Sequence, residues 1–244
     1  MSQGTPRPLP GPGLVEVWTW PIAGDGVSLG RLAAWLSPEE AGRAQRFLRP
    51  EHGDAFRAAR GGLRAILASY LGCRPSDVTF AVGPHGKPQL DRPALPDLRF
   101  NLSHSGGLAA LGVVVGPEIG VDIEAVRPVE PQVAERFFAR GERERLARLR
   151  GEAWTRGFHR CWTRKEAVLK AMGDGLAVPL DAFDVGLSDE DPVAVLAARP
   201  PVPQAESWTL LSFQPRAGIE GAVALRSARR HRLVQLPWEP DRPS

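Results

Sequence analysis

Two stretches of this chain follow the same plan about 100 residues apart. Arg46-Phe47-Leu48 leads into a helical pattern that Gly72 ends, with a strand at Val78. Arg136-Phe137-Phe138 leads into one that Gly173 ends, with a strand near Phe183. A helix with one apolar face must bury it against another element. A helix-and-strand unit used twice fits a fold with two related α/β halves, the alternative being a chance likeness of the two stretches. Its 244 residues suffice for one large domain or two small ones.

Local signals place the elements. Ser37-Pro38-Glu39-Glu40 reads as a capping box with proline at the first helical position and predicts a helix to about Leu48. Asp54 is read as the cap of a longer helix, with Leu63, Ile66, Leu67, Tyr70 and Leu71 on one face and Arg57, Arg60 and Arg64 on the other. Strands are predicted at Val78–Val82, Arg99–Ser103, Leu108–Val115 and Ile119–Glu124, divided by turns such as Gly83-Pro84-His85-Gly86. Further helices are expected from Pro131 to about Leu149 and from about Trp154 to Met172. The remaining strands, expected to be antiparallel, are Ala182–Leu187, Trp208–Phe213, Gly221–Arg226 and Arg232–Leu236.

Composition excludes several classes. No apolar run approaches the roughly 18 residues of a membrane helix, so no membrane span is expected. Met1–Gly13 has four prolines and three glycines but no basic start or apolar core, which reads as a flexible leader rather than a signal peptide, and a cytoplasmic location follows. Cys73 and Cys161 are far apart and lack metal-ligand spacing, so they are expected to act as small buried hydrophobes. A net charge of +3 is too modest for a nucleic-acid tail. Of the 31 basic residues only Lys87, Lys165 and Lys170 are lysines. Because lysine offers a phosphate a compact ammonium instead of a planar fork, their retention points to phosphate contacts.

Three segments carry chemistry. In Ile119-Gly120-Val121-Asp122-Ile123-Glu124 the alternation buries the apolar residues on one face and projects Asp122 and Glu124 together from the other. Such a pair is either a solvated strand face or a set of oxygen ligands for a hard cation such as Mg²⁺. Glu166 and Lys170 stand four residues apart, as a surface ion pair or, because Trp162, Leu169 and Met172 flank them, as the lining of a cleft. Asn101-Leu102-Ser103-His104-Ser105-Gly106-Gly107 suits an anion. A Ser103–His104 nucleophile pair is disfavoured, since strand neighbours point to opposite faces.

Taken together, Gly86-Lys87-Pro88, Phe100-Asn101-Leu102-Ser103-His104-Ser105, Gly120-Val121-Asp122-Ile123-Glu124 and Trp162-Thr163-Arg164-Lys165-Glu166-Ala167-Val168-Leu169-Lys170 resemble a known family in order and spacing, from about Ser37 to Leu187. That family is the 4′-phosphopantetheinyl transferases of the surfactin-synthetase-activating (Sfp) type. The resemblance implies an α+β fold, a pseudo-dimer of two similar α+β halves with the active site in the cleft between them. It implies transfer of 4′-phosphopantetheine from coenzyme A to a serine of an acyl, aryl or peptidyl carrier protein, releasing adenosine 3′,5′-bisphosphate. The expected division is a leader 1–13, an N-terminal half 14–116 binding the coenzyme A nucleotide, a C-terminal half 117–238 for metal and catalysis, and a tail 239–244.

By the same resemblance Asp122, Glu124 and Glu166 hold Mg²⁺, which would also hold the coenzyme A pyrophosphate, and Asp122 and Lys170 count among the coenzyme A-binding residues. Glu166 is the candidate general base for the carrier serine, directly or through a water, and Lys170 would neutralise the departing phosphate. Ser103, His104, Lys87 and Arg60 hold the nucleotide and its 3′-phosphate, with Arg57 standing near Arg60. Some members carry basic residues where this chain has Glu40, which leaves Arg43 and Arg46 in the first helix. A monomer is expected, with no nucleic-acid partner. The rivals are a non-catalytic coenzyme A or carrier-protein binding module, and a serine hydrolase, which lacks its Gly-x-Ser-x-Gly elbow here.

Overall fold

The computed structural model describes residues 6–23, 28–83, 86–91, 97–173, 178–188 and 190–239. The first part runs β1 (Leu14–Pro21), α1 (Leu29–Ala33), α2 (Pro38–Gln45), α3 (Pro50–Leu71), β2 (Phe80–Val82), β3 (Pro88–Leu90), β4 (Leu98–Ser105) and β5 (Leu108–Val115). The second runs β6 (Ile119–Ala125), α4 (Pro131–Phe137), α5 (Arg140–Leu146), α6 (Gly151–Met172), β7 (Phe183–Val185), β8 (Val195–Ala198), β9 (Thr209–Arg216), β10 (Ile219–Leu225) and β11 (Arg232–Pro237).

Two sheets carry the molecule, one ordered β11-β1-β5-β4 and the other β6-β10-β9. Strands β1, β5, β6 and β10 are buried on both faces over most of their length, and in β5 the alternation divides the side chains between two cores. In β5, Leu108, Ala110 and Val114 turn toward the second sheet and, with Val15 and Val17 of β1, form a core with Ile119, Val121, Ile123, Val223 and Leu225 of β6 and β10. Ala109, Leu111 and Val113 turn the other way, onto Leu63, Ile66 and Leu67 of α3. Ala222 and Ala224 of β10 face α6, beside Ala167, Val168 and Ala171. The layers are therefore helix, sheet, sheet, helix, and the two long helices of the sequence repeat occupy equivalent outer positions. Each ends as expected in a left-handed glycine, Gly72 at φ 62° and Gly173 at φ 78°.

The expected capping box is present, with Ser37 Oγ accepting from the Glu40 N–H and a Glu40 carboxylate oxygen accepting from the Ser37 N–H. Other boundaries move. Helix α3 begins at Pro50, and Asp54, inside it, pairs with Arg57 at 2.7 Å instead of capping. The single helix expected over 131–149 is two, because Phe138 is extended and stacks on Phe158 with centroids 5.1 Å apart, while the Ala139 N–H restarts the chain on Glu142 Oε2 at 2.8 Å.

The expected division of the chain also changes. Strand β11, expected to be antiparallel and to belong to the C-terminal half, lies parallel to β1 in the first sheet, pairing Leu14 with Arg232 and Trp18 with Leu236. Of the expected leader, residues 1–5 lie outside the described residues and residues 6–13 are held. Arg7 donates to Glu16 at 3.3 Å and lies over the Trp18 ring, and its N–H donates to Ser69 O at 2.7 Å. Residues 240–244 of the tail and Pro84-His85 of the expected turn also lie outside the described residues. Cys161 is buried as expected, whereas Cys73 is only half-buried.

Gly120 sets the distance between β6 and α6. A Cβ there would overlap the Ala167 carbonyl oxygen and the Ala171 amide nitrogen and come within 2.9 Å of Lys170 Cβ. Because the obstacles are backbone, Gly120→Ala should cost about 3 kcal/mol, at the upper end of ordinary overpacking. Urea unfolding checks this. An unchanged midpoint would mean that helix and strand are not in close contact.

Candidate active site

Residues 120, 122 and 124 of β6 share one face, and α6 lies against it at Gly120. The close approach brings the functional residues of helix and strand together. Lys170 reaches across to Asp122 rather than only back along its own helix, donating to Asp122 Oδ1 at 2.7 Å and to Ser103 Oγ at 3.1 Å. Glu166 lies one turn earlier, close enough for the charges of Lys170 and Glu124 to act on it. The sequence-predicted residues Ser103, Asp122, Glu124, Glu166 and Lys170 are thus gathered where the two halves meet.

The halves are joined there by side chains. Strands β4 and β6 are edges of different sheets, and β6 turns its N–H groups toward β4. Asn101 Oδ1 accepts from Val121 N at 2.8 Å, Ser103 Oγ from Ile123 N at 3.4 Å and Ser105 Oγ from Ala125 N at 3.1 Å. The two hydroxyls then donate onward, Ser103 to Asp122 Oδ1 and Ser105 to Glu124 Oε2, each at 2.9 Å. A hydroxyl has one donor and two acceptor sites, and Ser103 uses all three. Asn101 and Ser105 stand in the sequence motif without an expected role, and the alternation of polar residues 101, 103 and 105 on one face of a strand is the sequence signal for it.

Burial and charge set the protonation of the site. Burial pushes the Asp122 carboxyl up to about 6 against the opposing pull of Lys170. Burial also raises Glu166, Lys170 pulls it down, and the Glu124 charge adds to the rise. His104, exposed beside the seam, is held below its ordinary value by partial desolvation and by Lys170. Asp122 Oδ2 is buried without a hydrogen-bond partner. Among the described residues no three His, Cys, Asp or Glu side chains are grouped to hold a metal as they stand. The donor chemistry is nonetheless apt for a hard divalent cation: the Glu124 charge opposes ionisation of both Asp122 and Glu166, and Asp122 carries a desolvated orphan oxygen.

The candidates for nucleotide contacts are spread out and engaged. Lys87 Nζ donates to Glu118 Oε2 and to Ile119 O, both at 2.9 Å. Arg60 is bonded through Nε and Nη2 to Glu40, which also takes Arg64 Nε at 2.6 Å. The position that is basic in some members therefore holds the anion that neutralises Arg60. Arg57 lies on the same helix with its side chain 28% exposed. The expectation drawn from the scarcity of lysine needs correction at Lys165, which is wholly buried, pairs with Glu142 at 2.8 Å and donates to Leu180 O at 2.7 Å. No phosphate can reach it, and its charge serves the interior of the second half.

Residues 118–221 match the sequence profile of the 4′-phosphopantetheinyl transferase superfamily. The 4′-phosphopantetheinyl transferase HetI of Nostoc sp. is 41% identical over 214 residues, covering 86% of this chain and 87% of its own. The 4′-phosphopantetheinyl transferase Sfp of Bacillus subtilis is 34% identical over 167 residues, covering 68% of this chain and 72% of its own. The solved holo-acyl-carrier-protein synthase of Thermotoga maritima overlaps 46% of this chain and 64% of its own at 18% identity and a TM-score of 0.38.

The seam makes a prediction that separates structure from ligand contact. Ser103→Ala leaves the buried Ile123 N–H without an acceptor and should cost about 1–3 kcal/mol. His104→Ala, at an exposed position, should cost less than about 0.5 kcal/mol. Equal effects of the two in guanidinium unfolding would refute the seam role of Ser103.

Proposed function

This chain belongs to the 4′-phosphopantetheinyl transferase superfamily, and on that premise we propose how its own residues carry out the transfer. The reaction moves 4′-phosphopantetheine from coenzyme A to a serine of an acyl, aryl or peptidyl carrier protein and releases adenosine 3′,5′-bisphosphate. One bond forms between the serine oxygen and phosphorus, one pyrophosphate P–O bond breaks, and the serine proton needs an acceptor. Catalysis of such a displacement is chiefly positioning and charge stabilisation.

The observation that carries the reading is Asp122, a buried carboxylate with Oδ1 held by Lys170 and Ser103, Oδ2 unpartnered, and Glu124 on the same strand face. Asp122, Glu124 and Glu166 would hold Mg²⁺, which when bound supplies neutralising charge at the pyrophosphate. Glu166, raised by burial and by Glu124, is suited to accept the serine proton. Lys170, its side chain 29% exposed, can turn from Asp122 to the phosphate oxygen that gains charge.

Ser103 serves by holding Asp122 and Lys170 in place. His104, kept from protonation, offers the nucleotide an N–H rather than a charge. Lys87 and Arg60 reach the 3′-phosphate only by leaving Glu118 and Glu40, so Arg57, which gives up only its pairing with Asp54, takes the first share. The nucleotide belongs to the first half and the metal ligands to the second, with β11 assigned to the first. The protein acts as a monomer in the cytoplasm; no described helix is long and apolar enough to cross a membrane. A non-catalytic binding module is not favoured.

Incubation with coenzyme A, Mg²⁺ and an apo carrier protein should add the phosphopantetheine mass to the carrier. Glu166→Gln should lower turnover by about 10²–10⁴ fold with coenzyme A still bound; near-normal turnover would remove the base assignment. Because Asp122 must be ionised to hold a cation, Mg²⁺ affinity of the protein alone should fall about tenfold between pH 7.5 and pH 5, as pH drops through the raised value of about 6. Calorimetric titration at the two pH values measures this. A flat response, or an unchanged affinity in Asp122→Asn, would exclude Asp122 as a ligand.

A further inference from the structure

Lys87 belongs to the first half and holds the second. It directly precedes β3, in the hairpin that β3 forms with β2. Phe80 of β2 fixes this hairpin to the first core through Phe100, with ring centroids 5.7 Å apart. The Lys87 side chain, 11% exposed, then crosses to the second half. Its Nζ donates to Glu118 Oε2 and to Ile119 O, both at 2.9 Å, and lies 3.5 Å from Ala171 O. An ammonium carries three donors, and three acceptors face it here.

These acceptors flank the contact on which the site depends. Ile119 precedes Gly120 on β6, and Ala171 follows Lys170 on α6. Strand and helix meet closely there, since a Cβ on Gly120 would come within 2.9 Å of Lys170 Cβ. Lys170 in turn reaches Asp122 Oδ1 at 2.7 Å. The N–H and C=O of one residue in an antiparallel strand point the same way, so Ile119 O faces the seam together with the N–H groups of Val121, Ile123 and Ala125. Lys87 continues the row of Asn101, Ser103 and Ser105 by one position, as a donor where they accept. Ala171 O belongs to the last turn of α6, whose carbonyls lack partners within the helix and carry negative partial charge. A cation there ties down the end of the helix that presents Lys170. Glu118 Oε1 also lies 3.4 Å from Arg99 Nε of β4, so the first half holds Glu118 through two cations.

Resting on the transferase reading above, we propose that Lys87 is a positioning residue for the transfer. It is a latch from the first half that stays on its partners and fixes Lys170 against Asp122, and it does not bind the coenzyme A 3′-phosphate. A phosphate could take this ammonium only by displacing a carboxylate and a carbonyl, and the displaced carbonyl of Ile119 would lose its donor at the seam.

The test compares two donors that differ by the 3′-phosphate. Turnover on an apo carrier protein is measured with coenzyme A and with dephospho-coenzyme A, and coenzyme A binding is titrated calorimetrically with Mg²⁺. Lys87→Met keeps the stem and removes the ammonium. It should lower kcat about tenfold with both donors, because a small misplacement of reacting groups is costly. The preference for coenzyme A over dephospho-coenzyme A, and the affinity for coenzyme A, should each change less than about twofold. Coenzyme A weakened about tenfold, with dephospho-coenzyme A turned over as in wild type, would make Lys87 a phosphate ligand and overturn the proposal. So would a variant that only melts earlier and keeps the wild-type kcat below its melting point. If Lys87→Met does not fold, Glu118→Gln decides. Losing the charge that helps hold Lys87, it should lower kcat about threefold with coenzyme A affinity unchanged. A lysine freed to bind phosphate would tighten coenzyme A instead, and that result, or an unchanged kcat, would equally overturn the proposal. Failure of the transferase reading would look different, because wild type itself would then leave the carrier's mass unchanged.

Discussion

Strand β6 is an edge strand whose outward N–H groups meet no backbone ladder in β4, and side chains take that place. Asn101, Ser103 and Ser105 accept from Val121, Ile123 and Ala125 in turn, so the two sheets are joined without being continuous. The same hydroxyls donate to Asp122 and Glu124. Adhesion between the halves and orientation of the candidate metal ligands are therefore one hydrogen-bond network. The ordinary difficulty of an edge strand, a row of unpaired donors, is resolved by the residues that aim the carboxylates.

Much of this was legible from residue types alone. The two long helices, their glycine stops, the capping box at Ser37 and the strands at 108–115 and 119–125 follow from local periodicity and turn chemistry, which act over a few residues. The shared face of Asp122 and Glu124 follows from the two-residue period of a strand. What could not be read depended on distant partners. Strand β1 has a buried polar residue, Glu16, in its alternation, and only the structure shows its partners Tyr70 and Arg7. The break at Phe138 depends on Phe158 across the second half, and the parallel docking of β11 depends on β1, more than 200 residues earlier in the chain. Within the site, residue identities were legible but pairings were not. Nothing local to Arg60 announces Glu40, and nothing local to Lys165 announces Glu142.

The cations divide by depth. Lys165 and Glu142 neutralise each other in the interior, where an unpaired charge would be strongly destabilising, at about 3–5 kcal/mol. Lys165 stands directly before Glu166 on α6 and Glu142 lies on α5, so the pair anchors the helix that presents the candidate base. Lys170, the partly exposed lysine at the seam, pairs with a carboxylate that is itself costly to ionise. A pair of that kind is easily exchanged when a stronger cation or a phosphate arrives, whereas the Lys165 pair is not.

The parallel pairing of β11 with β1 bears on how the molecule is made. The first sheet is closed on one side by residues that leave the ribosome more than 200 residues after β1. During synthesis β1 must wait with one edge open while the whole second half emerges and folds. Long-range pairing of this kind carries a large loop-closure cost before any contact rewards it. Completion of the nascent first sheet is therefore coupled to completion of the second half, and a chain cut short before Arg232 would leave β1 as an exposed, adhesive edge.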